Sequence, residues 1–362
     1  MKPIELNYGR LIDDFQPGDV YFHPWEVTLD DGLLAMFAAS FLDPNRLYSS
    51  RPYARALGFR DRVVNPLVLI NLTIGYSVHD VSEQALAHLA YIDVRFPNPA
   101  YTGDTLRARS TVLGARLSES RPDRGVVHVR TEGLNQDDLP VIVFERKALI
   151  PSGKLQKSAH QEKARSGSTI TAAVAEDPSN PVVPSELKNC DCASTRSGSL
   201  RGFFEDFEVG DVIFHQNGRT IGESEHMQLT MLSRNSHPLH FDEIYSKEHS
   251  IAKTRLVCGP LVFAWIVSLA SRDTTARALW QVSFDNGSHP APVFSGDTLF
   301  AASRVIDKRA HSDQVGLIKF KLVGLKNVFP SQIAGSNVDP FEERFEQKVF
   351  ETERTVLVPT RD

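Results

Sequence analysis

Asp14-Phe15-Gln16-Pro17-Gly18-Asp19-Val20-Tyr21-Phe22-His23 decides the fold, because the chain uses the pattern twice. Asp206-Phe207-Glu208-Val209-Gly210-Asp211-Val212-Ile213-Phe214-His215 repeats it 192 residues later (206 − 14). Gly103-Asp104-Thr105-Leu106 likewise returns as Gly296-Asp297-Thr298-Leu299, 193 residues on (296 − 103). Two landmarks in the same order, with shifts that differ by one, mark a duplicated domain; a solenoid unit would recur every ~20–50 residues.

Working outward from these landmarks, the two halves read alike. In the first, residues 20–28 alternate as a strand. Residues 29–42 then carry helical spacing (Leu33, Leu34, Phe37, Phe41) with Asp30 and Asp31 at the start, where acids suit the helix dipole. Residues 51–57 form a short helix. Asn65-Pro66 opens a run to residue 77 that is apolar on nearly every side; Asn is a good N-cap, Pro suits the first helical position, and such a helix must be buried. Strands follow at 86–96, 105–113, 125–135 and 140–150. The second half repeats the plan: a strand at 211–220, helices at 223–233 and 242–250, a buried helix opened by Gly259-Pro260, then strands at 279–286, 298–307, 316–326 and 345–358. One buried helix wrapped by a mostly antiparallel sheet is an α+β domain. The expected domains are 1–151 and 200–362. Residues 152–199, rich in Ser, Lys, Ala and Pro with little periodicity, form a long crossover linker.

The length of 362 residues accommodates both domains. A net charge of −5 argues against a surface built for nucleic acid. Three cysteines, Cys190, Cys192 and Cys258, are an odd and sparse set, which favours a reducing compartment. The most apolar runs, 63–74 and 261–270, fall short of the about 20 residues that span a bilayer, and the first seven residues hold no apolar signal core. A soluble cytoplasmic protein is expected. Cys190-Asp191-Cys192 lacks a second pair at zinc spacing. His226, His237, His240 and His249 match no metal spacing, and no Gly-x-Gly-x-x-Gly follows a strand.

The densest polar cluster, Asn235-Ser236-His237-Pro238-Leu239-His240, falls between two helical runs. A strand, a helix, a histidine loop, a buried helix opened by Gly or Pro, and Gly-Asp-Thr-Leu starting a strand form an order that resembles the MaoC-like dehydratases. Their fold is the hotdog, so the resemblance, carried by both halves, implies a double hotdog. The family's loop is roughly Asp-x-Asn-Pro-aliphatic-His. The second half keeps Pro238, Leu239 and His240, with Asn235 for the acid and His237 for the asparagine. The first half, Asp43-Pro44-Asn45-Arg46-Leu47-Tyr48, keeps the acid and the asparagine but has Tyr48 for the histidine. Asparagine in place of the acid, together with a paired histidine, most resembles the mesaconyl-CoA hydratase (β-methylmalyl-CoA dehydratase) branch. The crossover length and Arg255-Leu256-Val257 before Gly259 support that branch.

The resemblance implies reversible addition of water to an enoyl-CoA thioester, branched and dicarboxylic in this branch, with no cofactor and no metal. The acyl-CoA would lie in a tunnel between the halves, with one working site per chain, in a homodimer or higher oligomer. His240 is the expected acid/base, since an imidazole titrates near working pH. Asn235, an amide, cannot serve as a base; it orients the water or ends the preceding helix. Gly259 and Leu261 would offer backbone N–H groups to the thioester oxygen at a helix N-terminus. Arg255, with Arg234 as rival, is the candidate partner for a substrate carboxylate. His237 is either a second contact to that carboxylate or a solvated loop group. The readings to be separated are a dicarboxylic enoyl-CoA hydratase, a general (R)-specific MaoC-like hydratase, a non-catalytic acyl-CoA binding protein and a thioesterase.

Overall fold

A computed structural model describes residues 8–153, 182–189, 200–250 and 252–361. Most of the expected linker, with Cys190 and Cys192, lies outside the described residues.

The repeated Gly-Asp pairs are tight turns. Gly18 and Gly210 take φ of 96° and 97°, and Gly103 and Gly296 take 92° and 89°. That left-handed conformation costs glycine nothing, because it has no Cβ. The aspartate after the second pair closes its turn: the Asp104 carboxylate accepts from Tyr101 N–H at 2.8 Å, and that of Asp297 accepts from Phe294 N–H at 2.9 Å.

Each half builds its strands on these turns. The first half holds β1 (Val20–Thr28), β2 (Ala87–Arg95), β3 (Thr105–Leu117), β4 (Arg124–Leu134) and β5 (Pro140–Pro151). The second holds β6 (Val212–Phe214), β7 (Arg219–Thr220), β8 (Trp280–Ser288), β9 (Thr298–Ala310), β10 (Val315–Lys326) and β11 (Lys348–Pro359). They form one antiparallel sheet in the order β1-β3-β4-β5-β2-β8-β11-β10-β9-β6, with β7 also on β9. The halves join where β2 pairs with β8, through Tyr91↔Gly287, Val94↔Phe284 and Arg95↔Ser283. This is the double hotdog expected from the repeat. The single strand expected at 211–220 is broken into β6 and β7. Gly218 lies over the Phe300 ring, where a Cβ would come within 2.4 Å, and the chain leaves the sheet there.

The helices are α1 (Asp31–Phe41), α2 (Arg51–Ala56), α3 (Pro66–Ser77), α4 (Glu223–Leu232), α5 (Glu243–His249), α6 (Gly259–Thr274) and α7 (Pro330–Ala334). Every residue of α3 is buried, and α6 buries nearly all of its own. The two share one apolar core. Asn71 of α3 donates to the Pro260 carbonyl of α6 at 3.2 Å. At Gly75 the loop of the second half presses on α3 so closely that a Cβ would sit 1.8 Å from the Ser233 carbonyl oxygen. No helix of the described residues is long and apolar enough to cross a membrane.

The duplication extends to buried polar groups. His23 bridges Asp80 (2.9 Å) and Ser110 (2.8 Å), and His215 bridges Asp273 (2.7 Å) and Ser303 (2.9 Å). Each set resembles a hydrolytic triad in composition. Ser110 and Ser303 are sealed in the core, at 0% and 1% exposure, so these histidines pin the start of each half to its sheet and to the end of its buried helix, His23 through Asp80 just after α3 and His215 through Asp273 in the last turn of α6.

Candidate active site

The two copies of the polar loop fold by the same hydrogen bonds. In the first half, Asp43 accepts from Asn45 N–H (3.1 Å) and Asn45 Oδ1 accepts from Leu47 N–H (2.9 Å). In the second, Asn235 Oδ1 accepts from His237 N–H (3.0 Å) and His237 Nδ1 accepts from Leu239 N–H (3.1 Å). Each loop then reaches across to the other half. Asn45 Nδ2 donates to the Ala278 carbonyl at 2.8 Å, and His237 Nε2 donates to the Ala85 carbonyl at 3.1 Å; 278 − 85 is again 193. His237 therefore does the work of the asparagine it replaces. Both its ring nitrogens are occupied, and burial holds its pKa below the usual imidazole range.

The copies differ at the sixth position. His240 Nδ1 donates to the Leu256 carbonyl at 2.9 Å. That bond fixes the tautomer and leaves Nε2 as an unprotonated base. Burial, then the neighbouring His237, pushes the His240 pKa down to about 3, so the ring is neutral at working pH. In the first half Tyr48 takes this place, and burial keeps its phenol protonated.

His240 lines a cavity of about 280 Å³ between the halves. The second half contributes Asn235, His240, Gly259 and His289 to its wall; the first contributes His88 and Arg146. Cys258, the residue before Gly259, is a buried thiol whose pKa burial raises to about 12, and its sulfur accepts from Asn235 Nδ2 at 3.1 Å. At Gly259 a side chain would come within 3.1 Å of His289 Nε2 and 3.4 Å of Tyr91 Oη. Only glycine leaves the backbone open to a ligand there. Among the described residues the Gly259 N–H makes no hydrogen bond, and Pro260 has none to give.

Two of the expected ligand contacts are placed elsewhere. Leu261 N–H donates to the Cys258 carbonyl at 3.1 Å, and its side chain is fully buried, so it offers no free donor. Arg255 lies outside the cavity wall and is held by Glu223 and, at 3.1 Å, by Glu243. Its closeness in sequence to Gly259 does not bring it to the ligand side. Arg234, its rival, stands over the Trp25 ring at 5.7 Å and is also absent from the wall. The sequence reading missed His88, Tyr91, Arg146 and His289. The signal was present for Arg146: it alternates with Phe144, Ala148 and Ile150 on the inward face of β5, as Arg354 does with Thr352, Val356 and Val358 on β11. No group of three metal-ligating side chains occurs among the described residues.

A duplicated hotdog whose histidine loop opens on a cavity shared by both halves defines a MaoC-like hydro-lyase. The chain belongs to the mesaconyl-CoA hydratase family, whose model matches residues 5–328. It is 34% identical to the mesaconyl-CoA hydratase of Cereibacter sphaeroides over 90% of this chain and 91% of the relative. It is 30% identical to the beta-methylmalyl-CoA dehydratase of Chloroflexus aurantiacus over 99% of both chains. Among solved structures, a MaoC domain protein from C. aurantiacus superposes with a TM-score of 0.80 at 28% identity, covering 99% of this chain and 100% of the other. A double-hotdog protein from Mycobacterium tuberculosis, with a TM-score of 0.74 at 23% identity over 96% and 98%, shares the fold.

Proposed function

We propose that the protein catalyses the reversible hydration of a branched dicarboxylic enoyl-CoA, mesaconyl-CoA, to the 3-hydroxyacyl-CoA. The observation that carries this reading is the pairing, on one cavity wall, of an unprotonated His240 Nε2 with the unengaged N–H of Gly259. His240 takes a proton from water as the water oxygen bonds to Cβ. The thioester oxygen gains charge and is held by the Gly259 N–H at the start of α6; one such donor contributes roughly 10²–10³ in rate. The imidazolium then returns the proton to Cα, so water is added whole and nothing is oxidised or reduced. Asn235 Oδ1, with one lone pair spent on His237 N–H, keeps the other for the water. Leu261 supports the turn, Arg255 stands outside the cavity, and His237 lines the wall with both ring nitrogens engaged, so it has no polar atom free for the substrate. Residues 1–151 and 200–362 serve as the two hotdog domains, 152–199 as their crossover, in a cytoplasmic enzyme that assembles at least as a dimer.

The test is spectroscopic. Purified protein is mixed with mesaconyl-CoA and with crotonyl-CoA while the conjugated thioester absorbance and free thiol are followed. Bleaching of mesaconyl-CoA in preference to crotonyl-CoA, without thiol release, is the expected result. Preference for crotonyl-CoA would assign a general hydratase. Thiol release would assign a thioesterase, and binding without either signal a non-catalytic acyl-CoA protein.

A further inference from the structure

Among the described residues Arg146 is the one guanidinium in the cavity wall, and it is 2% exposed. A buried arginine stays charged and ordinarily has a carboxylate against it, because an unpaired buried charge is costly. Among the described residues Arg146 has none. Its terminal nitrogens donate to two neutral hydroxyls, Ser82 Oγ (3.1 Å) and Ser77 Oγ (2.8 Å), and its Nε has no partner. Beside it, His88 is half-buried, with both ring nitrogens shielded from solvent and neither hydrogen-bonded. Three buried polar atoms on one wall therefore lack partners.

The duplicated copy shows what completes such an arginine. Arg354 occupies the same place on β11 as Arg146 does on β5, the seventh residue of each strand. There Nε donates to Gln281 Oε1 at 2.7 Å and Nη1 to Ser271 Oγ at 3.2 Å, and the Asp43 carboxylate lies near enough to favour the guanidinium's charge. In the cavity copy two of these three partners, Gln281 and Asp43, have changed counterparts. His88 stands where Gln281 stands (281 − 88 = 193), and Asn235 stands where Asp43 stands (235 − 43 = 192). The first loop thus supplies its arginine with an acid from the chain, whereas the second does not.

We infer that Arg146, with His88 at its side, is the binding site for the free carboxylate of the acyl group, the ligand supplying the anion that Asp43 supplies to Arg354. The inference rests on the dicarboxylic substrate proposed above and replaces Arg255 in that role. It places the carboxylate end of the acyl chain against β5 and β2 of the first half, across the cavity from His240 and Gly259 of the second. One substrate then bridges the two halves, and a neutral acyl chain would leave Arg146 buried and uncompensated.

The test separates this site from the reaction. Binding of succinyl-CoA and butyryl-CoA, which differ by a carboxylate in place of a methyl, is measured by calorimetry on wild type, Arg146→Gln, Arg146→Lys and His88→Gln. Neither probe is conjugated, so the result does not depend on turnover. Wild type should bind succinyl-CoA at least tenfold more tightly. Arg146→Gln should remove roughly 10–100-fold of succinyl-CoA affinity and leave butyryl-CoA within about threefold. Arg146→Lys should retain part of the preference. His88→Gln copies the Gln281 arrangement and protects the fold while occupying Nε, so it should narrow the preference. Equal losses for both probes would overturn the inference, assigning Arg146 to the fold or to the CoA phosphates. An unchanged preference in both Arg146→Gln and His88→Gln would also overturn it. Mesaconyl-CoA turnover failing in the wild type while the succinyl-CoA preference holds would refute the hydration reading and leave this site standing.

Discussion

At the scale of single residues, His240 and Gly259 line one cavity, and Arg255 is held outside its wall by Glu223 and Glu243. His240 was legible because the loop it closes occurs twice and only the second copy ends on a histidine, with Tyr48 at that place in the first. His237 was ambiguous from sequence, and its hydrogen bonds to Leu239 N–H and the Ala85 carbonyl show it standing in for Asn45 of the other copy. Arg255 stands four residues before Gly259 in sequence yet outside the cavity wall. It joins α4 to α5 through Glu223 and Glu243. Arg255→Leu should consequently leave the ratio of kcat/KM for mesaconyl-CoA over crotonyl-CoA unchanged. It should lower Tm by about 1–2 °C, the size expected of a partly exposed ion-pair network in a chain this long. A selective rise in KM for the dicarboxylic substrate, with Tm unchanged, would restore Arg255 to the site. Arg146 went unread because strand alternation places it inward without saying what it meets there.

At the scale of elements, most boundaries followed from caps and periodicity. Asn65 accepts from Leu67 N–H and opens α3, as its N-cap pattern implied. The broken strand β6/β7 did not follow, since the Phe300 ring that displaces Gly218 comes from an element some eighty residues away. Gly75 has the same kind of hidden cause. In an isolated helix, alanine would be favoured over glycine there by ~1 kcal/mol. Here the Cβ would lie 1.8 Å from the Ser233 carbonyl, with Asn235 N at 3.3 Å. Overpacking against rigid backbone costs ~1–3 kcal/mol or more, so the clash prevails over propensity. Gly75→Ala should lower the urea midpoint and, by moving the loop that carries His240, reduce hydration at least tenfold. A raised midpoint with normal activity would show that α3 and the loop are not in register as described.

At the scale of the whole molecule, duplication followed by divergence explains why one cavity is shared by two similar halves. The hydrogen bonds that shape each loop are kept in both copies, as are the His23 and His215 pins. What differs is the chemistry at matched places: Tyr48 against His240, Asp43 against Asn235, Asn65 against Cys258, and Gln281 against His88. The surroundings of the first loop are satisfied by groups of the chain, whereas those of the second, with Arg146 contributed by the first half, leave a base, a backbone donor and a guanidinium Nε without partners among the described residues. This asymmetry was half legible, since the loop substitutions are visible in the sequence while the arginine environments require the sheet. The most direct measurement is the initial rate of mesaconyl-CoA bleaching by His240→Ala and Tyr48→Phe side by side, with matched circular dichroism. His240→Ala should lose roughly 10²–10⁴-fold, and Tyr48→Phe should stay within about threefold of the wild-type rate. A His240→Ala enzyme that retains more than a tenth of the wild-type rate, or a Tyr48→Phe enzyme that falls with it, would contradict the claim that the second loop alone carries the reaction.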